Sequence, residues 1–85
     1  MRNKLALNRP EGLKITNEKR GKLLTWESDG KDVAGYEVEV RGKDRVELNF
    51  VKEPSFKLTK LEDGAEVRVR AVYSADVSDW VELDG

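Results

Sequence analysis

Residues 66–80 read EVRVRAVYSADVSDW, and the first half of that stretch decides the fold. Val67, Val69, Ala71 and Tyr73 occupy every second position, with Arg68, Arg70 and Val72 between them. Successive side chains of an extended strand point to opposite faces, so this alternation builds one apolar face and one largely charged face. YEVEVR, residues 36–41, repeats the pattern: Tyr36, Val38 and Val40 share a face, and Glu37, Glu39 and Arg41 take the other. β-Branched and aromatic residues in the inward positions suit a pleated, half-buried surface. No window carries a helical apolar stripe, so helices are not expected.

Turn chemistry divides the chain at short intervals. Pro10-Glu11-Gly12 opens it, Lys19-Arg20-Gly21 and Ser28-Asp29-Gly30 follow, and Arg41-Gly42-Lys43-Asp44 closes YEVEV. Glu53-Pro54, Glu62-Asp63-Gly64 and Ser74 to Asp76 mark the remaining breaks. The strands expected between them are Leu13–Thr16, Lys22–Glu27, Ala34–Arg41, Val46–Val51, Ser55–Leu61, Ala65–Ser74 and Val77–Leu83. Short antiparallel strands at this spacing predict an all-β, seven-stranded immunoglobulin-like sandwich.

The chain has 85 residues, enough for one domain with one thin core. Residues 1–9 read as an N-terminal extension or linker and residues 10–85 as the domain; Leu5 and Leu7 alternate and could add an edge contact. Cysteine and histidine are both absent. That removes disulfides, thiolate metal sites, the usual general base and the commonest zinc ligand together. Net charge is −1, so no global attraction to nucleic acid or anionic lipid is expected. Basic residues crowd the start (Arg2, Lys4, Arg9, Lys14, Lys19, Arg20, Lys22) and acidic ones the end (Asp76, Asp79, Glu82, Asp84). Two solvated ends explain this, and head-to-tail attraction between successive modules is the sharper alternative. MRNKLALNRP lacks the apolar run of a secretory signal, and no stretch approaches membrane-spanning length.

Several residues then fall into the order of a known family. Pro10 precedes Leu13 and Ile15, Trp26 stands alone late in the second strand, and Gly35-Tyr36 heads the third. Phe56-Lys57-Leu58-Thr59-Lys60-Leu61 supplies an aromatic-x-leucine-x-x-leucine run through the fifth. From Pro10 onward the sequence resembles a fibronectin type III domain. The resemblance implies a noncatalytic sandwich with its termini at opposite ends, suited to stringing in series. It also implies recognition through the loops at Ser28 to Val33 and Ser74 to Asp76, or through the outer face of the sheet holding the third, sixth and seventh strands. One position departs from the family: a tyrosine is usual six residues after the fifth-strand leucine, and Val67 stands there. That corner is expected to hold by packing alone.

On this fold the core is Trp26, Tyr36, Phe56, Leu58, Leu61, Val67, Val69 and Ala71. Arg68 and Arg70 face outward, beside Glu37 and Glu39. Counting by twos along the last strand groups Val77, Asp79, Val81 and Leu83 inward and sends Ser78, Trp80 and Glu82 outward. Guanidinium stacked on indole is favourable, so Trp80 is expected to cover the two arginines. VSDWVE is also similar to the Trp-Ser-x-Trp-Ser element of cytokine receptors, where tryptophan and arginine interleave; only Ser78 and Trp80 compare.

Chemistry finds little foothold. No nucleophile–base pair can be assembled, and no glycine-rich phosphate loop occurs. Arg41-Gly42-Lys43-Asp44 looks like an interrupted Arg-Gly-Asp loop but sits in the wrong turn; Asp29-Gly30 and Asp63-Gly64 are what tight turns demand. Neither an enzyme nor a bound cofactor or metal is expected. The reading is a spacer or protein-interaction unit of a larger extracellular or surface protein. The candidate contact face is Glu37, Glu39, Arg68, Arg70 and Trp80, and the partners are another protein or neighbouring domains. Nucleic acid and membrane insertion are not expected, and carbohydrate enters only through a parent enzyme. The alternative is a structural assembly component. VRVRAV followed by SDW is similar to the ends of fibronectin modules in bacteriophage tail-tip proteins, and an accessory module of a bacterial polysaccharide-degrading enzyme is equally compatible with the sequence.

Overall fold

A computed structural model describes residues 8–28, 31–58 and 61–83. Its strands are β1 (Glu11–Glu18), β2 (Gly21–Glu27), β3 (Val33–Arg41), β4 (Val46–Val51), β5 (Ser55–Leu58), β6 (Glu66–Tyr73) and β7 (Val81–Glu82). They form two antiparallel sheets, β1-β2-β5 and β4-β3-β6-β7, and no helix occurs among the described residues. The expected all-β, seven-stranded sandwich is the fold of this chain. Leu5, Leu7, Asp29, Gly30, Thr59 and Lys60 lie outside the described residues.

Alternation in the sequence becomes alternation of burial. β6 reads exposed, then buried and half-buried in turn, with Val67, Val69 and Ala71 turned inward. Its register against β3 pairs Val40 with Val67, Val38 with Val69 and Tyr36 with Ala71, so apolar positions meet apolar positions on one face. The facing sheet contributes Leu24 and Trp26 from β2 and Leu58 from β5, all buried. Phe56 and Leu61 are only partly buried and pack against that cluster, as do Leu13, Ile15 and Val40. Each fully buried leucine or valine side chain is worth roughly 1.5–3 kcal/mol relative to exposure, so a core this thin tolerates few losses. Trp26 meets Tyr36 edge-on, ring centroids 5.3 Å apart at 71°, the arrangement aromatic quadrupoles favour. The Trp26 indole N–H has no hydrogen-bond partner, so the ring is held by packing.

The last strand differs from its expectation. Val77 forms an isolated bridge to Val72, whereas Val81 pairs with Val69 and Glu82 with Arg68. The pairing slips by one residue between these contacts, which is a bulge. Ser78 is the cause. It is 95% buried (5% exposed), its N–H donates to the Ala71 carbonyl at 2.9 Å, and its hydroxyl accepts the Ala71 N–H at 2.9 Å. The hydroxyl also donates to the Asp79 carbonyl, 2.9 Å away. A serine side chain thus stands in for a strand carbonyl, as short polar side chains can. Ser78 therefore turns inward, where counting by twos placed Val77. Beyond the slip, Val81 returns to the inward side and Trp80 to the outward side.

The corner before β6 is held by more than packing. Gly64 takes a positive φ of 81°, and Ala65 N–H donates to the Glu62 carbonyl at 3.1 Å, closing the turn. Val67 fills the core there. The Glu62 carboxylate accepts the Lys43 backbone N–H at 3.3 Å, tying this corner to the β3–β4 turn. A bond from a different side chain, to a different turn, links the corner that lacks its tyrosine.

Both ends of the described chain are fixed against β6. The Tyr73 hydroxyl donates to the Asn8 carbonyl at 2.8 Å, and Leu83 N–H donates to the Val67 carbonyl at 2.9 Å. Val67 and Tyr73 stand at opposite ends of that strand. Six residues of rise separate them by about 20 Å, so the chain comes in at one pole of the sandwich and leaves at the other.

Candidate functional site

The outer face of the β4-β3-β6-β7 sheet assembles the residues that alternation turned away from the core. Glu37 lies directly across from Arg70, and Glu39 across from Arg68, in the β3–β6 register. Arg68 Nε donates to Glu39 Oε1 at 2.6 Å and Arg70 Nε to Glu37 Oε1 at 2.7 Å. Arg41 adds a longer contact to Glu39 Oε1, 3.5 Å. Using Nε for the carboxylate leaves each planar guanidinium free to stack. Both do so on Trp80: the Arg68 guanidinium carbon is 4.1 Å from the ring centroid and that of Arg70 is 4.3 Å.

The bulge at Ser78 is what delivers the ring. With Val81 locked opposite Val69, the preceding residue falls beside Arg70. Residues two apart on one strand face are roughly 6.6 Å apart along the strand, close to the separation two planar groups need to grip an aromatic ring. Each exposed cation–π contact is worth about 0.5–1 kcal/mol, and more when partly desolvated. Here the four side chains of the two ion pairs are all less than one-third exposed, and the indole is half-buried. The five expected contact residues are therefore brought together as one stack, Glu37, Glu39, Arg68, Arg70 and Trp80. Their charges pair within the stack, two carboxylates with two guanidinium groups.

A crevice of about 20 Å³ opens at the lower end of the stack, lined by Glu39, Arg41, Glu66, Val67, Arg68 and Glu82. One water fits such a volume and a metabolite does not. The loops on the resemblance's alternative recognition route are less developed. The β6–β7 turn is tight, with Tyr73 N–H donating to the Asp76 carbonyl and Val77 N–H to the Asp76 carboxylate, both at 2.8 Å. The β2–β3 loop is described only in part.

Sequence reasoning missed a second set on the same face. Val46, Leu48 and Phe50 on β4 are 57%, 56% and 53% exposed. They stand opposite Arg41, Glu39 and Glu37, hence on the outer side. The Phe50 ring rests on Gly35: a Cβ there would lie 2.3 Å from Phe50 Cζ. The signal was available in the turn. Gly42 N–H donates to the Arg45 carbonyl, 2.8 Å, closing a short hairpin that sets Val46 against outward Arg41. Once Arg41 faces out, so does every second residue from Val46.

Comparison with known proteins agrees with this architecture. Residues 8–84 match the family model described as the fibronectin type III domain. Among solved structures, the chain is similar to the fn3 domain of the human collagen alpha-1(XX) chain. The TM-score is 0.79 at 20% identity, over 99% of this chain and 88% of that one. No curated protein matches. The stacked sheets, the strand order and the family match converge: this chain belongs to the fibronectin type III domain family.

Proposed function

We propose that this chain is a noncatalytic spacer and protein-interaction unit of a larger extracellular or surface protein. The observation that carries the reading is the anchoring of the chain at opposite ends of β6, through Asn8 at one pole and Leu83 at the other. A module entered at one pole and left at the other extends a string of domains instead of folding it back. The similar solved domain is itself one domain of a collagen chain, which favours the same use here. Within that role the Glu37–Arg70–Trp80–Arg68–Glu39 stack is the contact face. Its paired charges give little long-range steering, so a partner is held by shape and by the aromatic and guanidinium planes.

Two copies joined in series test the spacer reading. Small-angle scattering should give a maximum dimension longer by about one module length, unchanged between low and high salt. A pair that folds side by side, with a dimension close to that of one copy, overturns it. A dimension that shrinks only at low salt would instead support attraction between the basic start and the acidic end.

A further inference from the structure

β4 ends the strand order of its sheet, so half of its backbone N–H and C=O groups point away from β3 toward no strand of the sandwich. Its outward row is Val46, Leu48 and Phe50, each more than half exposed. The other edges differ among the described residues. β1 turns Lys14, Thr16 and Glu18 outward, β5 is four residues long with Lys57 exposed, and β7 has only two residues. An edge strand of six residues with an unbroken apolar row is a template for another strand. β4 alone combines a free edge of that length with such a row.

We propose that a second copy of this chain pairs with β4, antiparallel, about a two-fold axis through Leu48. The residues of β4 select this register. Leu48 then faces Leu48 of the second copy, while Val46 faces its Phe50 and Phe50 its Val46, giving six apolar side chains in one continuous row. On the reverse side Glu47 meets Asn49 of the second copy and Arg45 meets Val51. Arg45 is already neutralised by Glu47, 2.6 Å away, so no like charges oppose one another. Neighbouring registers are worse. Centring on Glu47 sets two carboxylates face to face, which is destabilising in a directly opposed pair. Centring on Asn49 sets Val46 against Lys52, and centring on Val46 or Phe50 sets Leu48 against Asp44 or Lys52. Gly35 shapes the same surface, because its missing side chain leaves room for the Phe50 ring to close onto β3. A two-fold interface uses the same patch on both copies and closes. The product is a dimer with one eight-stranded sheet and no β4 edge left for further growth.

Two short strands meeting edge-on bury less than a standard interface, so the dissociation constant is expected on the order of 0.1 mM. Sedimentation equilibrium and concentration-dependent amide NMR shifts read it directly. The expected result is a rise from the 9.7 kDa chain mass towards twice that value, with shifts confined to residues 45–51 and the β3 residues beside them. Leu48→Lys should weaken the dimer by about tenfold or more, with an unchanged melting curve at dilution. A chain that stays at 9.7 kDa at about 1 mM overturns the proposal. So does a dimer whose shifts map away from β4, one indifferent to Leu48→Lys, or growth past two copies.

Discussion

β4 and β6 flank the same strand, β3, and show the same face to the outside, yet their outward residues meet opposite fates. β6 turns out two arginines, and each finds a carboxylate across the strand and an aromatic plane above it. β4 turns out valine, leucine and phenylalanine, and these stay more than half exposed. The charged strand is the covered one and the apolar strand is the bare one. Position in the sheet explains the inversion. β6 is central, with β3 supplying glutamates on one side and β7 supplying Trp80 on the other. β4 has a neighbour on one side only, so its outward row has half the opportunities for cover. Side-chain polarity alone does not forecast exposure on the outer face of a sandwich; the number of neighbouring strands must be counted too.

Gly35 is where the two regions meet, and a substitution there should have the largest effect. A Cβ would lie 2.3 Å from Phe50 Cζ and 2.7 Å from the Val51 carbonyl oxygen. Gly35→Ala should lower unfolding free energy by about 1–3 kcal/mol, the usual cost of overpacking. In a Phe50→Ala background the cost should shrink without vanishing, because the Val51 carbonyl belongs to the backbone and cannot rotate aside. Denaturant unfolding of the four proteins in the cycle gives the answer. An equal cost in both backgrounds would remove the ring from the account.

Trp80→Ala comes next. It removes two stacked guanidinium contacts of about 0.5–1 kcal/mol each, and it uncovers ion pairs that exposure makes weaker. The expected loss is about 1–2 kcal/mol, with the far-UV strand signature retained. A loss within experimental error would mean that the stack is a surface ornament and that β6 needs no cover, which would erase the contrast with β4.

The alternation of β3 and β6 was legible in the sequence because both strands are central and each inward position finds an apolar partner. Tyr36, Val67, Val69 and Ala71 could be assigned inward from period two alone, and Trp26 and Leu58 from the family resemblance. Ser78 could not. Its inward turn depends on a hydroxyl taking the Ala71 N–H, a choice made by three-dimensional proximity, and period counting has no symbol for a bulge. Trp80 was still placed outward because the count was anchored on Val81 and Leu83 as the better core candidates, and both lie beyond the slip. The Glu62 link to Lys43 was hidden for a similar reason, since 19 residues separate the partners in the chain. The outer row of β4 was readable in principle from the hairpin turn. Apolar residues in alternation are taken for core unless the strand is known to lie at an edge, and edge position is a property of topology.

Leu48→Thr should have the smallest effect, and it tests the bare side of the comparison. Threonine is β-branched and suits extended backbone, so the strand itself loses nothing. The side chain it replaces is 56% exposed, so little buried apolar area disappears. Measured at dilution, where any pairing between copies is dissociated, the change should stay within about 0.5 kcal/mol, the range of surface substitutions remote from packing. The same substitution in the concentrated chain should diminish association, because there Leu48 has the neighbour it lacks in the monomer. If the dilute chain instead loses more than about 1 kcal/mol, Leu48 is packed within its own sandwich, and the outer row of β4 is no more bare than the arginines of β6.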